Sequence, residues 1–142
     1  MTAEQYLNQI KKLDAMIRNK LKDYDRWVEV AEGLGGASDG ERVKSSRNLH
    51  RSADAIGNYV DIENEVQSLK LERQAIIKTI EQLPTDEYDV LYKLYVQYYS
   101  RKEVAYHYGR SLDWVKTRKA KGLKLIQAVL DEASAQTSTE RG

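Results

Sequence analysis

Two histidines, no cysteine and a scatter of carboxylates are the reactive side chains of this 142-residue chain. Without Cys there is no thiol nucleophile, no disulfide and no zinc finger of the usual kind. His50 and His107 are far apart, and no His pair has the helical spacing that holds a metal, so no metal site is expected. The stretch GLGGASDG, residues 33–40, is rich in glycine but lacks the Gly-Lys-Ser/Thr ending of a phosphate-binding loop. It reads as a turn. The carboxylates fall on the outward faces of amphipathic helices, with nothing to bring two of them into one pocket for acid–base work. The expectation is a chain that is not an enzyme and carries no cofactor.

The cations are distributed more tellingly. Net charge is only +1. Between Arg101 and Lys124, however, stand Arg101, Lys102, Arg110, Lys116, Arg118, Lys119, Lys121 and Lys124, opposed by Glu103 and Asp113 alone. That segment carries +6 and leaves −5 for the rest. A basic patch on an acidic chain is a focused field suited to a polyanion. Tyrosines cluster in and before it, at Tyr88, Tyr92, Tyr95, Tyr98, Tyr99, Tyr106 and Tyr108, and they read mainly as core and rim of a small domain. Trp114 reads as packing against the helix expected over residues 85–99 rather than stacking on a sugar or base.

Local signals organise the same segment. Ser100 followed by Glu103 is a capping box opening a short helix with Val104, Ala105 and Tyr108 inward. Gly109 supplies the left-handed residue a tight helix-to-helix corner needs. Ser111 then caps a second helix that turns Val115 inward and Lys116, Thr117, Lys119 and Lys121 outward. A small residue at the crossing, a glycine at the turn and an aliphatic anchor beyond it are the requirements of a helix-turn-helix, whose second helix enters the major groove.

Residues 84–126 resemble region 4 of bacterial RNA polymerase sigma factors, the part that reads the −35 promoter element. The resemblance rests on Leu83-Pro84, then DVLYKLYV, SRKEVAYHYG and VKTRKAKGL. The whole chain is similar to phage and prophage late-gene regulators of the ArpU type. This resemblance implies double-stranded DNA as partner, RNA polymerase as a further one, and a place in the bacterial cytoplasm at the nucleoid. It puts the base-reading and backbone-contacting positions on Leu112, Asp113, Lys116 and Thr117, with Arg101 and Lys102 near phosphates. Arg110, Lys119 and Lys121 join them as DNA-binding candidates on charge and position. Two residues depart from the pattern. Leu112 stands where primary sigma factors usually have a basic residue, and Arg118–Lys119 stand where such helices turn an aliphatic side chain inward.

These residues need elements to hold them, and the hydrophobic spacing predicts an all-α fold. Residues 2–31 form one amphipathic helix, with Thr2 and Gln5 as a capping box. Its seam is Tyr6, Ile10, Leu13, Ile17, Tyr24, Trp27 and Ala31, broken by Lys20. Gly33, Gly35, Gly36 and Gly40, with Ser38 and Asp39, should end it. A second helix should start between Glu41 and Asn48 and run to Leu83. Its seam is Leu49, Ala53, Ile56, Tyr59, Ile62, Val66, Leu69, Ile76, Ile80 and Leu83, interrupted by Arg73. Folded back antiparallel, the two make a coiled-coil-like hairpin over residues 1–83, a place for homodimerisation or partner binding. Pro84 should end the second helix, and Thr85 should cap a third running to Tyr99. The expected domains are thus 1–83, a DNA-binding 84–133 and a disordered polar tail 134–142. Two other readings fit the same pattern: a small-terminase-like packaging protein, and a polymerase-binding protein that makes no DNA contact. No run of about 18 apolar residues could span a membrane, and Met1–Lys12 has no signal-type apolar core.

Overall fold

The computed structural model describes the backbone of residues 1–36 and 46–141, and the side chains of residues 1–32 and 54–136. Every regular element among these residues is helical. In chain order they are α1 (Ala3–Gly36), α2 (Ser46–Glu81), α3 (Thr85–Leu91), a π-helical turn (Tyr92–Val96), α4 (Arg101–Tyr108) and α5 (Leu112–Arg141). None of the described helices is long and apolar enough to cross a membrane.

The chain divides into two compact units, Met1–Lys12 with Arg73–Gly142 and Leu13–Glu72. The division falls inside α1 and α2, not at Pro84 as the proline signal suggests. The physical reason lies in the first turns of α1. Ala3, Leu7 and Ile10 are buried in the first unit, as are Ile76 and Ile80 of α2 and Ile126 of α5. The Ala3 amide donates to the Gln127 Oε1 at 2.8 Å, and the Tyr6 and Thr79 hydroxyls lie 3.1 Å apart. The Thr2–Gln5 capping box forms, with bonds of 2.9 and 3.1 Å, and fixes where α1 begins.

In the unit Leu13–Glu72 the two helices run antiparallel. Lys20 pairs with Glu65, and four residues on, Tyr24 meets Tyr59 edge to face at 5.5 Å. Lys20, the break in the apolar seam of α1, thus has a partner of its own. Buried Leu13, Val66 and Leu69 hold this unit together with half-buried Ile17, Trp27 and Ile62. Ile56 departs from its expected place: it is 45% exposed, and Ala55 is buried instead. Helical phase explains the difference. Going back from Val66, steps of four, three and four keep Ile62, Tyr59 and Ala55 on one face, whereas two successive steps of three rotate Ile56 off it. Leu49, Ala53 and His50 lie outside the described side chains. Ser38, Asp39 and Gly40 lie outside the described residues altogether, and α2 is described from Ser46, inside the expected range of Glu41 to Asn48. α1 itself continues through Gly33 and Gly35 to Gly36.

Three boundaries differ from expectation in the other unit. Pro84 itself is the N-cap of α3, in an extended conformation with no side-chain cap, and Thr85 is the first helical residue. The helix expected to reach Tyr99 leaves α-geometry after Leu91 and ends at Val96. There the Gln97 amide reaches back to the Tyr92 carbonyl at 3.1 Å and Tyr98 takes a left-handed φ of +62°. That residue turns the chain out of the helix, so that Ser100 can sit extended and cap α4. The tail expected to be disordered is helical, since α5 runs on to Arg141.

Candidate nucleic-acid interface

α4 is closed at both ends by its own sequence. The Glu103 amide donates to the Ser100 Oγ at 3.1 Å, and the Ser100 amide donates to the Glu103 Oε1 at 3.1 Å. At the other end Gly109 takes φ +61°. Its amide bonds to the Tyr106 carbonyl, and the Arg110 amide reaches the Ala105 carbonyl at 2.9 Å. These two bonds satisfy carbonyls that the helix end would otherwise orphan. One residue later the Ser111 Oγ accepts from the Trp114 amide at 3.1 Å and opens α5.

The corner is held by a small core of Val90, Val104, Ala105 and Val115, all buried, with Leu94, Tyr99, Tyr108 and Trp114 packed on it. Trp114 packs on this core, which includes Val90 of α3, but its ring also lies 6.1 Å from that of Tyr108 of α4, and the Arg110 guanidinium stands over its face at 5.2 Å. Burial raises the Tyr108 phenol above its ordinary value and, with Tyr92 and Glu81 adding to it, raises Tyr88 as well. Both therefore remain neutral.

α5 divides its charged residues between two faces. Leu112, Asp113, Lys116, Thr117 and Lys124 are exposed, as are Arg101 and Lys102 on the first turn of α4 and Arg110 in the corner. Lys119 does not join them. Its side chain is only 17% exposed, lies 3.9 Å from the Glu4 carboxylate of α1 and stands over the Tyr95 ring at 5.9 Å. It sits one turn beyond the anchor Val115 and so shares that residue's inward side. Lys121 is 60% exposed and stands 3.8 Å from the Glu87 carboxylate.

Glu87 is the carboxylate that reasoning from exposed faces misses: it is buried. Its Oε1 accepts from the Arg118 Nη1 at 2.9 Å. Burial alone would raise its pKa. The Arg118 hydrogen bond, a backbone hydrogen bond and the nearby Lys121 and Arg118 charges outweigh that, and the net shift is downward. The pair accounts for the departure at Arg118–Lys119: α5 turns a cation inward there because α3 presents an acid. Gly122, one turn on, lets α5 come close to α3. A Cβ on Gly122 would lie 2.7 Å from the Leu91 Cδ1. The signal for this pair was the phase of α5, since Val115, Arg118, Lys119, Gly122 and Ile126 recur on one side of the helix.

Among the described residues no group of three His, Asp or Glu is placed to hold a metal ion. Comparison with known proteins gives no family model, no curated relative and no solved structure that matches the chain significantly.

Proposed function

We propose that α4 and α5 are a helix-turn-helix that binds double-stranded DNA, and that the chain regulates transcription with it. One observation carries the reading: a left-handed glycine joins two helices that share one core, and the first turns of the second helix are left facing outward with Asp113, Lys116 and Thr117. The start of such a helix is the part that reaches base edges in a major groove, and Arg101, Lys102 and Arg110 are the cations available to phosphates. The likeness to sigma region 4 supports promoters as the targets and RNA polymerase as a second partner. Exposed Ile56 and Val60, one turn apart on α2, support a homodimer formed through the helices.

The test is binding to random duplex DNA and to upstream regions of neighbouring genes as a function of salt. With Lys119 turned inward, five of the six candidate cations remain to meet phosphates once Lys116 and Lys121 are counted with Arg101, Lys102 and Arg110. At about −0.9 per phosphate neutralised, log affinity against log salt should have a slope of roughly −4 to −5 per monomer. One region should be preferred by about 10³ or more. Lys116→Ala should cost about 1–3 kcal/mol on the preferred region and relax the preference. No binding at low salt would sink the reading in favour of a protein-binding role, and a ring of many subunits would favour the packaging one.

A further inference from the structure

A cavity of about 430 Å³ opens in the unit Met1–Lys12 with Arg73–Gly142, between the start of α1, the segment joining the π turn to α4, and α5. This volume is within the range that holds small ligands, about 300–1,000 Å³. Its lining has a distinct chemistry. Lys11, Arg101 and Lys119 contribute three positive charges against the single carboxylate of Glu4. Tyr95, Tyr98 and Tyr99 contribute three aromatic rings, and Leu7 and Leu94 an apolar floor.

Two details set this cavity apart from an ordinary surface dent. The Tyr95 hydroxyl is buried, with the Glu4 carboxylate as the polar group that faces it. Burial, with the Glu4 carboxylate adding to it, pushes this phenol up to about 12, so it stays protonated and able to donate. Tyr98, on the same wall, has φ +62°. Strained non-glycine residues of this kind persist where the surroundings over-determine them and cluster at ligand clamps. Moreover, Lys119 is held among Glu4 and the Tyr95 ring rather than on the outer face of α5.

We propose that this cavity is a binding site for a phosphate group attached to a planar ring, with a nucleoside monophosphate as the simplest ligand of the class. Lys119, Arg101 and Lys11 meet the phosphate, the Tyr95 hydroxyl donates to one of its oxygens, and the ring stacks on Tyr98 or Tyr99. The phosphate lowers the cost of holding three cations together, and the stacking adds an aromatic contact that inorganic phosphate lacks. The site rests on the cavity and not on the DNA-binding reading, and titration without DNA tests it alone, while Arg101 is common to both.

The experiment is calorimetric titration of the full chain with adenosine 5′-monophosphate at low salt, alongside adenosine and inorganic phosphate as separate probes. The monophosphate should bind one to one with a Kd below about 1 mM and more tightly than either of its parts. Lys119→Met and Tyr95→Phe should each weaken it by about tenfold, the loss of one charge-assisted hydrogen bond. Lys11→Gln, on an exposed side chain whose loss cannot unfold the chain, should weaken it several-fold. Titration in the presence of a short duplex separates the two sources of this chemistry. Undiminished binding assigns the site to a free nucleotide, and displacement by duplex assigns it to a nucleotide of the nucleic acid. Absence of binding by the monophosphate both alone and within a duplex, equal affinity for adenosine, or indifference to all three substitutions would overturn the proposal.

Discussion

Replacing Glu87 by Gln tests how α5 is held in place. The Glu87 side chain is 3% exposed, 2.9 Å from the Arg118 guanidinium and 3.8 Å from the Lys121 ammonium. Glutamine keeps the shape and removes the charge. Arg118 is then left half-enclosed beside a neutral amide, with its Nε already buried and unpartnered. Removing one partner of a buried pair costs about 3–5 kcal/mol. Arg118 retains 28% exposure, so water can reach part of the guanidinium, and the lower end, about 3 kcal/mol, is expected. Arg118→Met should cost a similar amount, since it strands the carboxylate with only the more distant Lys121. The double variant Glu87→Leu with Arg118→Met strands neither, so it should fall within about 1 kcal/mol of the parent. Urea unfolding followed by circular dichroism measures all four stabilities. The pH dependence gives a second check. Glu87 has a lowered pKa in the folded chain, so its contribution is fully present above the ordinary glutamate value, about 4.3, and is lost as pH falls through the lower folded value. The parent should therefore lose stability more steeply in that acid window than Glu87→Gln. A double variant as unstable as the two singles added together would refute the pairing as the source of the cost, as would a Glu87→Gln loss below about 1 kcal/mol.

Three glycines give sharper contrasts, because they differ in why they are glycine. Gly109 has φ +61° and open space around it, so Gly109→Ala should cost about 1–2 kcal/mol through backbone strain alone, read as a fall in Tm, and Gly109→Asn should restore part of it. Gly122→Val should cost more, about 3 kcal/mol, since even its Cβ would meet the fully buried Leu91 at 2.7 Å; an unchanged Tm would contradict the close approach of α5 to α3. Gly57 lies inside α2 with nothing within 4 Å of an added Cβ, so Gly57→Ala should raise stability by about 1 kcal/mol in urea unfolding. A loss there would mean that something approaches that face of α2 in solution.

What the sequence made legible was local. The capping boxes at Thr2–Gln5 and Ser100–Glu103, the left-handed Gly109 and the Ser111 cap each depend on a few adjacent residues, and each is found in the structure. So are the anchor Val115 and the inward Val104 and Ala105, whose phase is set by the helix that carries them. What stayed hidden depends on residues distant in the chain. Glu87 reads as an acid favoured by a helix dipole, and only Arg118, arriving from α5, makes it a buried ion-pair partner. Pro84 reads as a domain boundary because it breaks a helix, yet the start of α1 packs with α5 through Ala3 and Gln127, and that contact sets the division. The end of α3 was also out of reach: a π turn with one left-handed tyrosine leaves no mark in residue types, since Tyr is not a residue that seeks φ +62°.

Counting charges along the chain therefore overstates the outward field of residues 101–124. Of its eight cations, Arg118 is spent on Glu87, Lys119 stands inward by Glu4, and Lys121 is shared with Glu87. These three fall on the side of α5 that faces α3 and the start of α1, while Lys116 and Lys124 fall elsewhere. The division has a mechanical consequence. Ion pairs on the inner side fix the rotation of α5 about its own axis, and that rotation decides which residues of its first two turns look outward. Under the proposed DNA-binding role, losing Glu87 should thus disturb binding without any loss of a phosphate contact. Affinity for the preferred region would fall while the salt slope stayed the same, whereas loss of Lys116 or Arg101 would reduce the slope by about one unit if it meets a phosphate. Measuring both quantities for Glu87→Gln and Arg101→Ala under native conditions separates orientation from charge. A reduced slope in Glu87→Gln would show that the inner pairs do not set the orientation of the helix.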